Sequence, residues 1–105
     1  MLLYHATTRT NLESILKEGL LVSHADLAAR TKGVWLHTKA KSQWAILHTQ
    51  RRHRATLEEV VVLAVDIPRR WLKHFQSGLW WTPVDVPPCR IRRIIDGTAY
   101  AASAK

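Results

Sequence analysis

Val60-Val61-Val62-Leu63-Ala64-Val65 is the stretch that decides the fold. It is an unbroken apolar run, mostly β-branched and without alternation, which reads as a central strand covered on both faces. Downstream, Pro68 allows one helical turn through Trp71 and Leu72, and Gly78 breaks the chain before a strand at Leu79-Trp80-Trp81. Alternation sends Trp80 and Trp81 to opposite faces. Val84 to Pro88 reads as an extended, proline-stiffened edge, and Ile91, Ile94 and Ile95 as a final strand before a frayed Ala/Ser/Lys tail.

Upstream of the central run, Arg51 to Ala55 reads as a basic connection. Lys39 to His48 reads as a helix with Ala40, Trp44 and Leu47 inward and Ile46 flanking. Gly33 opens a strand at Val34-Trp35-Leu36-His37. The chain begins with a short strand, Leu2 to His5, and a polar turn at Thr7, Thr8 and Arg9. Thr10 and Glu13 have the spacing of a capping box, in which a hydroxyl and a carboxylate each satisfy a free backbone N–H. Leu12, Ile15 and Leu16 share a face of the helix that follows, and Gly19 is expected to close it as a left-handed cap. Ser23 is placed as the cap of a short helical turn through Asp26, Leu27 and Ala28. The order β-α-β-α-β-β-β favours one α+β domain over residues 1–105. No Gly-x-Gly-x-x-Gly or Gly-Lys-Thr phosphate loop is present.

Sixteen Lys and Arg against eight Asp and Glu leave a formal net charge of +8, a field that attracts polyanions and phosphorylated ligands. The charge is clustered at Arg51, Arg52 and Arg54; at Arg69, Arg70 and Lys73; and at Arg90, Arg92 and Arg93. The single cysteine, Cys89, excludes an internal disulfide, and the histidines show no His-x-x-x-His or His-Cys spacing that would point to a metal. Met1 to Leu3 runs straight into the first strand, so no secretory leader is read, and no apolar run approaches the roughly 20 residues of a membrane span. A cytoplasmic location, with the chain a monomer or a homodimer, is the expectation.

Three separated segments carry a family resemblance. Leu3-Tyr4-His5-Ala6-Thr7-Thr8, a helix through Ile15 and then Gly19-Leu20 resemble the opening His motif of ADP-ribosyltransferases. The form is closest to that of RNA 2'-phosphotransferases and of DNA-modifying toxins in the same superfamily. Gly33-Val34-Trp35-Leu36-His37-Thr38, followed by a helix with Ala40 and Trp44, resembles their second motif, whose aromatic or polar residue lines the nicotinamide pocket. Arg51 to Arg54 before Val60, then Gly78 to Thr82 and Val86-Pro87-Pro88, resemble the closing part of the phosphotransferase catalytic lobe. The likeness spans about residues 2–95.

The resemblance implies a split β-sandwich of two small sheets with flanking helices, and NAD bound in the cleft between them. His5 would hydrogen-bond the nicotinamide-side ribose or the amide, with Tyr4, Ala6 and Thr7 beside it and Trp35 and His37 against the nicotinamide. Arg52 or Arg54 would handle phosphate. Family members with a catalytic glutamate carry it near the fourth or fifth strand; the acidic residue in that neighbourhood here is Asp85, one methylene shorter, while Glu58 and Glu59 stand at the entrance of another strand. The implied activity is transfer of ADP-ribose to a nucleic acid (RNA or DNA) or phosphorylated acceptor, or removal of a 2'-phosphate.

The chemistry sets requirements of its own. Nicotinamide leaves neutral while positive charge grows on the ribose. A site therefore needs an aromatic platform, hydrogen bonds to the leaving group and a nearby anion. Tyr4, His5, Trp35 and His37 meet the first two; Asp85, Glu58, Glu59 or the substrate's own phosphate would meet the third. The alternatives are a domain that binds NAD or nucleotide without turnover and a basic nucleic-acid-binding module.

Overall fold

A computed structural model describes residues 1–24 and 33–99. Its strands are β1 (Leu2–Thr8), β2 (Val34–His37), β3 (Val60–Asp66), β4 (Lys73–Gln76), β5 (Leu79–Thr82) and β6 (Ile91–Asp96). Helix α1 (Arg9–Glu18) follows β1, and α2 (Ser42–His53) follows β2. The strands form one antiparallel sheet in the order β4-β5-β2-β1-β3-β6, an α+β arrangement. No helix among the described residues is long and apolar enough to cross a membrane.

Strand β3 is the centre of the core, as its composition requires. Val60 to Val65 are all buried, and β3 registers along its length with β1, from Leu2↔Asp66 to Thr8↔Val60. Each such side chain taken from water contributes about 1.5–3 kcal/mol. Its two faces feed two clusters. Leu63 and Val65 pack with Leu3, Leu20, Val34, Leu36, Ile67 and Val86 beneath α1. Val60 and Val62 pack with Ile46 of α2 on the other side.

The sheet is unevenly joined. Expected as two small sheets, it is continuous, but β1 and β2 share a single registered pair, Tyr4↔His37. On either side of that joint, β1-β3-β6 and β2-β5-β4 are paired over most of their lengths.

Several local expectations shift. Helix α1 starts at Arg9 with Thr8 as its N-cap residue, so the capping box at Thr10 and Glu13 does not form; Thr8 Oγ1 and Thr10 Oγ1 bond each other at 2.8 Å instead. Leu12 and Ile15 pack on the core, but Leu16 is exposed. Gly19 has φ +89°, ψ −170°, a positive-φ stop outside the left-handed helical region, and its N–H donates to Ile15 O at 2.7 Å.

Helix α2 begins three residues late, after a single turn at Lys39–Lys41, and this rotates its inner face. Ser42, Ala45, Ile46 and Thr49 are buried, whereas Trp44 and Leu47 are half exposed. Small residues on the inner line let the helix sit close to β1 and β3, and Thr49 Oγ1 donates to Ala45 O at 2.8 Å, so its hydroxyl is satisfied inside. Arg51, Arg52 and His53 form the last turn of this helix rather than a loop. Arg54, at φ 51°, ψ 44°, ends it. Cations at a helix C-terminus complement its dipole.

Residues 73–76, to which the sequence pattern assigns no element, form the edge strand β4, wholly exposed. The 84–88 segment contributes one isolated bridge, Leu20↔Val86. The turn placed at Ser23 is formed over Val22–His24, and its continuation to Asp26, Leu27 and Ala28 falls outside the described residues, as does the tail at 100–105.

Candidate functional site

The weak joint between β1 and β2 opens into a cavity of about 680 Å³, bounded by both strands and by α1 and α2. This lies within the range of small-molecule and cofactor pockets, roughly 300–1,000 Å³. Of the residues singled out from sequence, Tyr4, His5, Ala6, Thr7, Trp35, His37 and Arg52 all line it. Arg54 and Asp85 do not. Arg54 is the exposed residue that terminates α2, and the Asp85 carboxylate accepts the Val22 N–H at 2.7 Å. Glu58 and Glu59 also lie elsewhere: Glu58 O accepts Arg9 Nε at 2.9 Å, and Glu59 Oε1 accepts the Thr56 hydroxyl at 3.1 Å.

Two histidines tie the joint together. Continuing the Tyr4↔His37 register would set Ala6 opposite Trp35, but the strands diverge, and the His5 imidazole takes the place of that rung. His5 Nδ1 donates to Trp35 O at 2.8 Å. His37 Nδ1 donates to Tyr4 O at 3.2 Å, with the Tyr4 ring edge-on to it at 6.0 Å. A carbonyl only accepts, so each Nδ1 carries the proton, and in the neutral ring each Nε2 is bare.

Both rings are held neutral. Burial pushes the His5 pKa down, and the charges of Arg52 and His53 add to this, while its bond to the Trp35 carbonyl opposes them. Burial and the neighbouring His5 bring His37 down to about 4. With Nδ1 protonated, the neutral His5 ring has Nε2 as its hydrogen-bond acceptor.

One wall is aromatic. Trp35 meets Phe75 of β4 edge-on at 5.1 Å and lies tilted against Trp81 at 6.5 Å. Helix α2 adds Arg52, His48 and His53 to His5 and His37, and no carboxylate lines the cavity among the described residues. Burial, and then the charges of Arg52 and His48, lower the His53 pKa.

Sequence reading did not place Trp44, His48, His53 or Phe75 at this site. The signal for two of them was present: Trp44 and His48 stand eight and four residues before Arg52, a single helical stripe. It was obscured because Trp44 was assigned to the core. Phe75 sits on the strand that was not recognised. Among the described residues there is no cluster of His, Cys, Asp or Glu arranged to hold a metal ion. No protein-family model matches this chain, and no curated protein matches it.

Proposed function

We propose that this chain is an ADP-ribosyltransferase-like domain, its two sheet halves being the two sheets of a split sandwich, and that it seats NAD in the cavity at their joint. The observation that carries this is the convergence of His5, Trp35, His37 and Arg52 on one cavity where β1 and β2 share a single registered pair. NAD supplies a glycosidic bond whose cleavage releases neutral nicotinamide. The protein's own part is to bind and orient. His5 Nε2 accepts a hydrogen bond from a ribose hydroxyl or the amide, the Trp35 indole supplies a flat apolar surface, and Arg52 holds phosphate with its rigid fork. Ala6 and Thr7 offer backbone contacts alongside. With no carboxylate in the lining among the described residues, the anion that favours charge growth on the ribose comes from a phosphorylated acceptor, as in 2'-phosphotransferase chemistry. A cytoplasmic setting fits a domain that draws on the NAD pool.

Isothermal calorimetry with NAD tests this directly. Saturable binding is expected, and His5→Ala should weaken it roughly tenfold, the value of one lost hydrogen bond of about 1.4 kcal/mol. Absence of any heat or ligand-observed NMR response at millimolar NAD would reject the reading. The lining without a carboxylate among the described residues favours a second reading, binding without turnover. Nicotinamide release that disappears in His5→Ala would exclude it.

A further inference from the structure

Helix α2 turns a second stripe toward the cavity, beside its buried line. Trp44, His48 and Arg52 recur every four residues, and all three line the cavity. Trp44 is 50% exposed, so its indole is not used up in the core. It stacks on the His48 imidazole, with ring centroids 5.1 Å apart and planes 6° from parallel. The stacked pair fixes the orientation of an aromatic surface at the cavity's margin. Arg51 and Arg54, both exposed, follow on the last turn and its cap.

From this arrangement we propose that the Trp44–His48 pair is a stacking platform for an unpaired base of a single-stranded nucleic acid, with Arg51 and Arg54 on its phosphates. Every base has a π face, and stacking on an aromatic side chain beside basic groups is how single strands are held without reading sequence. A duplex buries its base faces against each other and cannot lie on the indole. An acidic polypeptide would satisfy the arginines but leave the stacked rings unused. The charge of +8 complements a phosphate chain. The platform adjoins the site proposed above, so a strand held there would present its ribose and phosphate groups to the cavity. Its identification as the acceptor subsite rests on the transferase reading, while its binding of a strand does not.

The test is fluorescence anisotropy of the full chain with a labelled single-stranded oligonucleotide of roughly 12 nucleotides, within the site sizes of such binders, in the absence of NAD. Trp44→Ala is expected to weaken binding about 10- to 100-fold and Trp44→Phe far less, whereas Arg51→Ser with Arg54→Ser should flatten the salt dependence. An abasic strand of equal length should bind the wild-type protein as weakly as the intact strand binds Trp44→Ala. Equal binding of abasic and intact strands, equal binding by wild type and Trp44→Ala, or full competition by polyglutamate with no preference for bases would overturn the proposal. Should Trp44→Ala lose its far-UV circular dichroism, Trp44→Phe against Trp44→Leu decides it: stacking requires the phenyl ring to bind the more tightly. NAD calorimetry on the same variants separates the two readings. Strand binding through Trp44 without NAD binding removes the transferase and keeps the platform; NAD binding without strand binding does the reverse.

Discussion

Gly19→Ala is expected to destabilise the domain by about 3 kcal/mol or more, from backbone strain and the loss of a stitch between distant segments. At φ +89°, ψ −170° the residue occupies a region open essentially to glycine alone, and an L side chain held there costs of order 1–3 kcal/mol. Space is also lacking. A Cβ at Gly19 would run into the Val86 carbonyl oxygen and lie 3.1 Å from Pro87 Cα and Pro88 Cδ. That oxygen accepts the Leu20 N–H at 2.8 Å, and Leu20 O accepts the Val86 N–H at 2.9 Å. Relieving the clash therefore pulls apart both bonds, each worth about 1 kcal/mol, and loosens two buried core side chains, Leu20 and Val86. Urea titration followed by tryptophan fluorescence would measure the loss. Because Gly19 and Leu20 also line the cavity, NAD affinity should fall with stability. A variant within 1 kcal/mol of wild type would show that the 84–88 segment moves freely, contrary to this account.

What sequence could reveal tracks how much of each element's environment is encoded in its own side chains. Strand β3 is surrounded on both faces, so its composition announces it. Strand β2, bounded by Gly33 and buried at Val34 and Leu36, is equally plain. Helix α2 was recognisable but rotated, because large apolar residues were taken as inward when the close approach to β1 and β3 demanded small ones, Ala45 and Thr49. Strand β4 has no buried residue, hence no pattern to read; it exists because β5 offers an edge. The same logic governs the site. Tyr4, His5, Ala6 and Thr7 are consecutive, and Trp35 and His37 alternate on a short strand, so only the adjacency of two strands was needed to bring them together. Asp85 and Arg54 depend on where a turn and a helix end, which local sequence does not specify. Asp85 is held at Val22, and Arg54 lies beyond the cavity.

Acid is expected to weaken the fold through the histidines at the joint between β1 and β2. A histidine with its ordinary pKa of 6.5 in the unfolded chain and about 4 in the folded one binds more protons when unfolded anywhere between those values. Stability must therefore rise with pH across that window: the contribution of His37 is present in full above pH 6.5, falls as the pH drops below it, and is gone once the pH is under about 4. With 1.36 kcal/mol per pKa unit, the loss from His37 is about 3 kcal/mol. The pKa of His5 is lowered as well, so it acts in the same direction. The surroundings reinforce this, since protonating either ring adds charge to a cavity that already holds Arg52 and His53. His37→Gln keeps an N–H that can reach the Tyr4 carbonyl but has no proton to gain. It should retain most of the stability at pH 7.5 and lose distinctly less than wild type between pH 7 and pH 4.5 in urea titrations. If both proteins weaken in parallel, the acid sensitivity lies elsewhere and His37 does not hold the neutral state assigned to it. If the wild type alone weakens, NAD affinity should decline over the same interval, because the groups proposed to seat NAD are those whose neutrality keeps the two halves of the sheet joined.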